Sequence, residues 1–139
     1  LFLVEAEVHE NPYVASRPFR VNAGSLSMYT LGNLQTTRYL QEFKAGDEVV
    51  IVNREGKTRK SNVGRIKIEI RPLILVEAEV EGKLIKTILQ NAETIRLVTP
   101  KASKPVTELK PNDEVIVHLA AKGGRHFGIS VPEETVIEK

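Results

Sequence analysis

The sequence predicts an all-β fold: a closed or nearly closed β-barrel of two similar halves with pseudo-twofold symmetry. Three observations predict it. The run Leu1-Phe2-Leu3-Val4-Glu5-Ala6-Glu7-Val8 returns as Leu73-Ile74-Leu75-Val76-Glu77-Ala78-Glu79-Val80, and later landmarks recur in the same order. Short apolar/polar alternations, bounded by Gly, Pro and Asn, read as half-buried strands. Helical periodicity is nearly absent, since Tyr39 to Lys44 and Val106 to Lys110 allow one turn each. Recurrence of this kind marks a duplicated unit. The expected organisation is therefore one domain, 1–139, made of repeats 1–72 and 73–139.

Each element has its own warrant. In the opening run Val4, Ala6 and Val8 share one face and Glu5 and Glu7 the other, the period of a strand with one wet side. Its copy continues through Glu81-Gly82 into Lys83 to Leu89, a hairpin signal. In the first half the same turn is lengthened to His9-Glu10-Asn11-Pro12. Ser25 to Thr30 carries a weaker strand signal, Leu31-Gly32-Asn33 reads as a turn, and Arg38-Tyr39-Leu40 resumes the apolar pattern. Lys44-Ala45-Gly46-Asp47-Glu48-Val49 is echoed by Lys110-Pro111-Asn112-Asp113-Glu114-Val115, each a tight turn ending in Asp before a β-branched strand, Glu48 to Val52 and Glu114 to His118. An Asp in such a turn accepts nearby amides and fixes where the strand begins. Second turns follow at Arg54 to Lys57 and Ala121 to Gly124, and Thr99 to Pro105 reads as a loop. Ile66, Ile68 and Ile70, alternating with Lys67, Glu69 and Arg71, predict a closing strand, with a looser echo in Phe127-Gly128-Ile129. The turn, Asp and strand signature resembles that of the cradle-loop barrels.

A chain of 139 residues, 41% hydrophobic and 27% charged, has the composition of a folded globular domain. A domain of this size buries roughly two-thirds of its unfolded surface. A net charge of +2 gives no nucleic-acid footprint. The absence of cysteine excludes disulfides, thiolate metal sites and a cysteine nucleophile. No apolar run approaches the roughly 18 residues of a membrane span. The start lacks a signal peptide's basic flank and begins with Leu inside a predicted strand, so an excised or processed piece of a longer chain is expected. A cytoplasmic location is compatible with these features.

The duplication also filters candidate chemistry, because features present in both halves serve folding. That assigns Asp47 and Asp113 to structure and leaves Asn22 and Asn91, echoed as Asn-Ala pairs, open between structure and substrate contact. Arg17, Arg20, Tyr29 and Arg38 occur in the first half only, and an arginine fork suits carboxylate or phosphate. Arg125-His126 is the second single-copy feature, with His126 a candidate acid or base. For each, a solvated or core position is the competing structural reading. His9, His118 and His126 show no metal spacing, and neither a dinucleotide Gly-x-Gly-x-x-Gly nor a phosphate-binding loop occurs.

Arg17-Pro18-Phe19-Arg20-Val21-Asn22-Ala23-Gly24, the run Lys44 to Val49, the span Arg71 to Val80, Leu89-Gln90-Asn91-Ala92-Glu93-Thr94-Ile95-Arg96-Leu97 and Arg125-His126-Phe127-Gly128 resemble the C-terminal part of the archaeal-type (class II) 3-dehydroquinate synthases. The resemblance covers essentially the whole chain. It implies an NAD-dependent enzyme of aromatic amino-acid precursor synthesis that oxidatively deaminates 2-amino-3,7-dideoxy-D-threo-hept-6-ulosonate and cyclises the product to 3-dehydroquinate. It further implies substrate contacts from Arg17, Arg20, Asn22, Asn91 and Arg125, with His126 as proton carrier. NAD contacts are expected mainly on the family's N-terminal part, absent here, which would be this chain's partner; the fragment alone is expected to be inactive. After Gly24 the family continues with a histidine before the tyrosine, whereas this chain reads Ser25-Leu26-Ser27-Met28-Tyr29. The Gly-rich turn expected over Leu31 to Thr37 is also altered.

Two other readings stay open. One is a stand-alone small barrel that binds nucleic acid or protein through Arg54, Lys57, Arg59 and Lys60, recognisable by steep salt dependence if the partner is nucleic acid. The other is a polypeptide engineered to isolate the duplicated barrel.

Overall fold

The computed structural model describes residues 1–10, 12–13, 15–119, 125–126 and 129–130, the last four by backbone alone. The fold is all-β, and helix among the described residues is confined to two 3-10 turns, Leu40–Glu42 and Val106–Glu108. These are the two places where the sequence allows a helical turn. In chain order the strands are β1 (Tyr29–Leu31), β2 (Thr37–Tyr39), β3 (Glu48–Val52), β4 (Thr58–Asn62), β5 (Leu73–Val80), β6 (Lys83–Gln90), β7 (Arg96–Val98), β8 (Ser103–Pro105), β9 (Arg125–His126) and β10 (Ile129–Ser130). They pair as five two-stranded antiparallel sheets, β1 with β2 through β9 with β10. Among the described residues no continuous ladder joins the five.

The longest ribbon, β5–β6, is the predicted hairpin. Glu81 and Gly82 have φ of 51° and 75°, the pair of positive values that a two-residue turn needs to match strand twist. Its register pairs Ile74 with Leu89 and Val76 with Thr87. That face meets the core cluster of Leu89, Ile95, Leu97 and Val106, against which Phe2, Val4, Ala92, Leu109 and Val115 also pack. The opposite face pairs Glu77 with Lys86, and there Leu73, Leu75 and Leu84 are exposed. Period-two alternation thus decides which side of the hairpin is dry.

The two predicted Asp turns are built alike. Asp47 accepts the amide of Lys44 at 3.0 Å and Arg38 Nη2 at 3.1 Å. Asp113 accepts the amide of Lys110 at 2.8 Å and Lys104 Nζ at 2.7 Å. The preceding residue has positive φ in each, Gly46 at 93° and Asn112 at 74°. In both halves a short antiparallel ribbon and a 3-10 turn lead into this turn. Both carboxyls sit below the ordinary aspartate pKa, Asp47 chiefly through the Lys44 amide and Asp113 chiefly through the Lys104 ammonium.

Four expectations need correction. Leu1 to Val8 is not a strand of a hairpin but a run held by single bridges, Phe2 to Val117, Val4 to Leu97 and Glu7 to Arg17. It bonds alternately to two neighbours, as when Leu3 donates to Ile116 O at 3.1 Å and accepts from Val98 N at 3.0 Å. Contacts so divided never accumulate into one ladder, although they place the first residues of the chain between segments of its second half. Glu114 to His118 likewise forms no ladder: besides the Val117 bridge, Ile116 N donates to Val98 O and His118 N to Leu1 O, both at 2.8 Å. Thr99 to Pro105, read as a loop, contains β8, because Arg96 clamps it by donating to Ser103 Oγ and Ser103 O, both at 2.9 Å. Among the described residues the closing strand over 66–70 has no strand partner, and Ile70 is 101% exposed. Alternation sets which side chains share a face, not whether another strand lies alongside.

Candidate functional site

Two of the sequence's candidate arginines meet at a β-turn. Arg20 N donates to Arg17 O at 2.9 Å, and Pro18, second in this turn, presets its φ. The Glu7–Arg17 bridge and the bond from Glu7 N to Arg20 O at 2.8 Å fasten the turn to the opening run. The Arg20 guanidinium lies 3.3 Å from the Glu7 carboxylate. Asn22 follows, donating through Nδ2 to Gln90 Oε1 at 2.7 Å. Gly24 then passes so close to β6 that a Cβ there would stand 2.7 Å from Ile88 O, at φ +114°. Ser25 N donates to that same carbonyl at 3.1 Å. The tight approach of Gly24 to β6 is what holds Asn22 beside the end of the hairpin.

These residues form one wall of a cleft of about 280 Å³ lined by Glu7, Arg17, Arg20, Asn22, Lys67, Glu69, Arg71, Gln90 and Thr94. The other wall is the alternating segment, whose Lys67 and Arg71 both reach Glu69, at 2.6 and 3.2 Å. Those two bonds pull the Glu69 carboxyl down from 4.5 to about 2. Four cationic side chains therefore face two carboxylates, each already ion-paired. The Arg17 side chain has no ionic or hydrogen-bonding partner among the described residues. Chemically the arrangement suits an anion: excess positive charge, one guanidinium fork without a partner among the described residues, and the Asn22 and Gln90 side chains beside it.

A second depression of about 310 Å³ adjoins it, sharing Glu7 and Thr94 and adding His9, Glu10, Glu93, Arg96 and Glu108. There His9 Nε2 lies 3.0 Å from Glu5, which also accepts Ser103 Oγ at 2.7 Å. No group of His, Asp and Glu among the described residues is arranged to hold a metal ion.

The other expected site residues fall elsewhere. Asn91 is exposed and donates its backbone N–H to Pro72 O at 2.9 Å, next to the cleft but outside its lining. Arg125 and His126 lie on β9, and their side chains are outside the described residues. Arg38 and Tyr29 separate from the arginine pair. Arg38 sits 4.5 Å from the Phe43 ring centroid and bonds Asp47, while Tyr29 packs edge-on against Tyr39 at 6.3 Å. Lys67, Glu69, Arg71 and Gln90 were not singled out by sequence reasoning. The signal was present in the alternation over 66–71, which places one charged triplet on a single face.

The family of the 3-dehydroquinate synthase II C-terminal domain matches residues 1–139. The 3-dehydroquinate synthase of Methanocaldococcus jannaschii is 56% identical over 140 residues, covering 100% of this chain and 38% of that protein. Those of Methanothrix thermoacetophila and Methanococcoides burtonii are 56% and 58% identical, covering 99% and 100% of this chain and 38% and 36% of theirs. No solved structure matches the chain. It thus spans little more than a third of the length of these curated relatives. Matched from end to end, the chain belongs to the family of the 3-dehydroquinate synthase II C-terminal domain.

Proposed function

We propose that this chain is the C-terminal domain of a 3-dehydroquinate synthase of the archaeal type, acting in aromatic amino-acid precursor synthesis in the cytoplasm. The cleft between the Arg17–Arg20 turn and the Lys67–Arg71 segment takes the carboxylate end of its small-molecule substrate, 2-amino-3,7-dideoxy-D-threo-hept-6-ulosonate. The observation that carries this is the unpartnered Arg17 fork in a cleft whose two carboxylates are already engaged. A substrate carboxylate supplies the acceptor that Arg17 lacks, and Asn22 and Gln90 are placed for its oxygens. Arg125 and His126 belong to this reading as substrate contact and proton carrier, and Asn91 as an edge contact.

NAD is the expected cofactor, and the described residues hold no dinucleotide site built on a helix. No helix among them exceeds three residues, so no helix N-terminus is available to a pyrophosphate. The nicotinamide chemistry is therefore assigned to the remainder of the longer polypeptide, which is this domain's partner, and the domain alone is inactive. The fold belongs to the same reading: two halves closing into a pseudo-twofold barrel, supported by the matched Asp47 and Asp113 turns and by the opening run seated against residues of the second half.

The test compares NADH formation from the amino-sugar acid by this chain, by a polypeptide of the relatives' full length, and by the full-length Arg17→Ala variant. Activity in the long chain only, with a raised KM in the variant, is the expected result. Absence of activity in the long chain refutes the assignment. The tract Arg54, Lys57, Arg59 and Lys60 offers the nucleic-acid reading little, since Arg54 is occupied with Thr99 O at 3.0 Å and Ala102 O at 2.6 Å.

A further inference from the structure

The segment beside the cleft has open backbone groups and an inverted pattern of exposure. Ile66, Ile68 and Ile70 are 42%, 65% and 101% exposed, whereas Lys67, Glu69 and Arg71 line the cleft. Side chains two residues apart touch across Glu69, which is the geometry of a strand. The amides and carbonyls of residues 64–71 make no hydrogen bond among the described residues. A strand edge with unpaired backbone and branched apolar side chains in water is a template for another strand.

The order of residues along this edge selects its partner. Ile66-Lys67-Ile68-Glu69-Ile70 is complementary to itself when reversed. Laid antiparallel against a second copy about Ile68, Ile66 stands opposite Ile70 of that copy and Lys67 opposite its Glu69, while Arg65 and Arg71 meet as the like-charged pair that ends the ladder on each side. Opposite charges and branched apolar pairs directly across are the favourable cross-strand combinations. Centring the pairing on Lys67 or on Glu69 instead sets like charges face to face in the middle of the ladder, where they cannot splay into solvent as the terminal arginines can, and a slip by one residue sets isoleucine against charge. The arrangement is isologous and closes at two copies.

We propose that residues 66–70 form the interface of a homodimer by antiparallel strand pairing, joining the two isoleucine stripes side by side on one face and setting the two charged clefts side by side across the twofold. The paired area is small, so the dimer is weak and concentration-dependent. This assignment is independent of what the cleft binds.

Sedimentation equilibrium on the 139-residue chain, from about 10 µM to about 1 mM, spans the affinities expected of so short an interface. Mass rising toward the dimer is expected. Lys67→Glu alone and Glu69→Lys alone should each raise the dissociation constant by about tenfold or more, because every homodimer then holds two like-charge contacts. An equimolar mixture of the two variants should recover wild-type association, since both mismatches become opposite-charge pairs between copies. Ile68→Asp should stay monomeric in every combination. Lys67 and Ile68 are exposed and the Glu69 side chain partly so, and circular dichroism checks that each variant remains folded. A wild-type chain that is monomeric throughout overturns the proposal and leaves the stripe to the rest of a longer polypeptide. A mixture no tighter than either variant alone also overturns it, because only pairing between copies predicts the recovery.

Discussion

Asp47 and Asp113 occupy equivalent places in the two halves of the chain. Each accepts the amide of a lysine three residues earlier and a cation nine residues earlier, Arg38 for one and Lys104 for the other. Each therefore ties the start of its turn to the strand of the preceding ribbon. Removing either carboxylate frees an amide and a cation together. Asp47→Ala and Asp113→Ala should each lower Tm by roughly 2–5 °C in thermal melts; an unchanged Tm would show that these turns do not contribute to stability.

Glu69 carries a pH prediction. Its carboxyl is held at about 2 by Lys67 and Arg71, against an ordinary 4.5. A lowered folded-state value means that the unfolded chain takes up the proton first as pH falls. The stabilisation is therefore complete above about pH 4.5 and is lost between there and about pH 2. Glu69→Gln should flatten the fall of Tm across that window. Identical acid profiles for the variant and the wild type would contradict the assigned bonds.

Leu89 is fully buried, facing Ile74 across the ribbon and packed in the cluster with Ile95, Leu97 and Val106. Leu89→Ala should destabilise the fold by about 2–5 kcal/mol, the transfer loss plus the cavity. Denaturant melts will read this as a lower midpoint at similar slope.

Gly24 stands where a Cβ meets Ile88 O at 2.7 Å with φ at +114°. Gly24→Ala should cost about 1–3 kcal/mol through backbone strain and displacement from β6. Because Asn22 depends on that approach, ligand affinity should fall with stability, separably from Arg17→Ala. Titration of the variant with a substrate analogue checks the link.

Arg17 has no partner to lose within the described fold, so Arg17→Ala should leave Tm nearly unchanged. In the full-length enzyme its KM should rise roughly 10- to 100-fold, the worth of a charge-assisted hydrogen bond. Arg17→Lys should recover only part, since an ammonium lacks the bidentate fork. Unaltered kinetics would remove Arg17 from the site.

How much of the site was legible follows from what each signal measures. The single-copy filter selects Arg17 and Arg20, which the fold brings to one turn, and equally Arg38, which the fold engages with Asp47 and the Phe43 ring. Lys67 and Arg71 fall outside it because their alternation with isoleucine signals a strand and nothing more. Nothing local announces that the segment from 66 to 71 lies across from the Arg17 turn. That juxtaposition comes from Asn22, Gly24 and Ser25 gripping the end of β6.

By itself the sequence determined the all-β character, the β5–β6 hairpin with its Glu81-Gly82 turn, the paired Asp turns and the two single helical turns. Those features depend on neighbours a few residues apart, through period-two alternation, positive-φ turn residues and short-range hydrogen bonds. Tertiary structure alone decided that the opening run bridges to residues 97 and 117, that Ser103–Pro105 becomes a strand under Arg96, and that no described strand pairs with the isoleucine stripe. Each of those outcomes depends on which distant backbone or charge arrives alongside, and local alternation is the same with or without it.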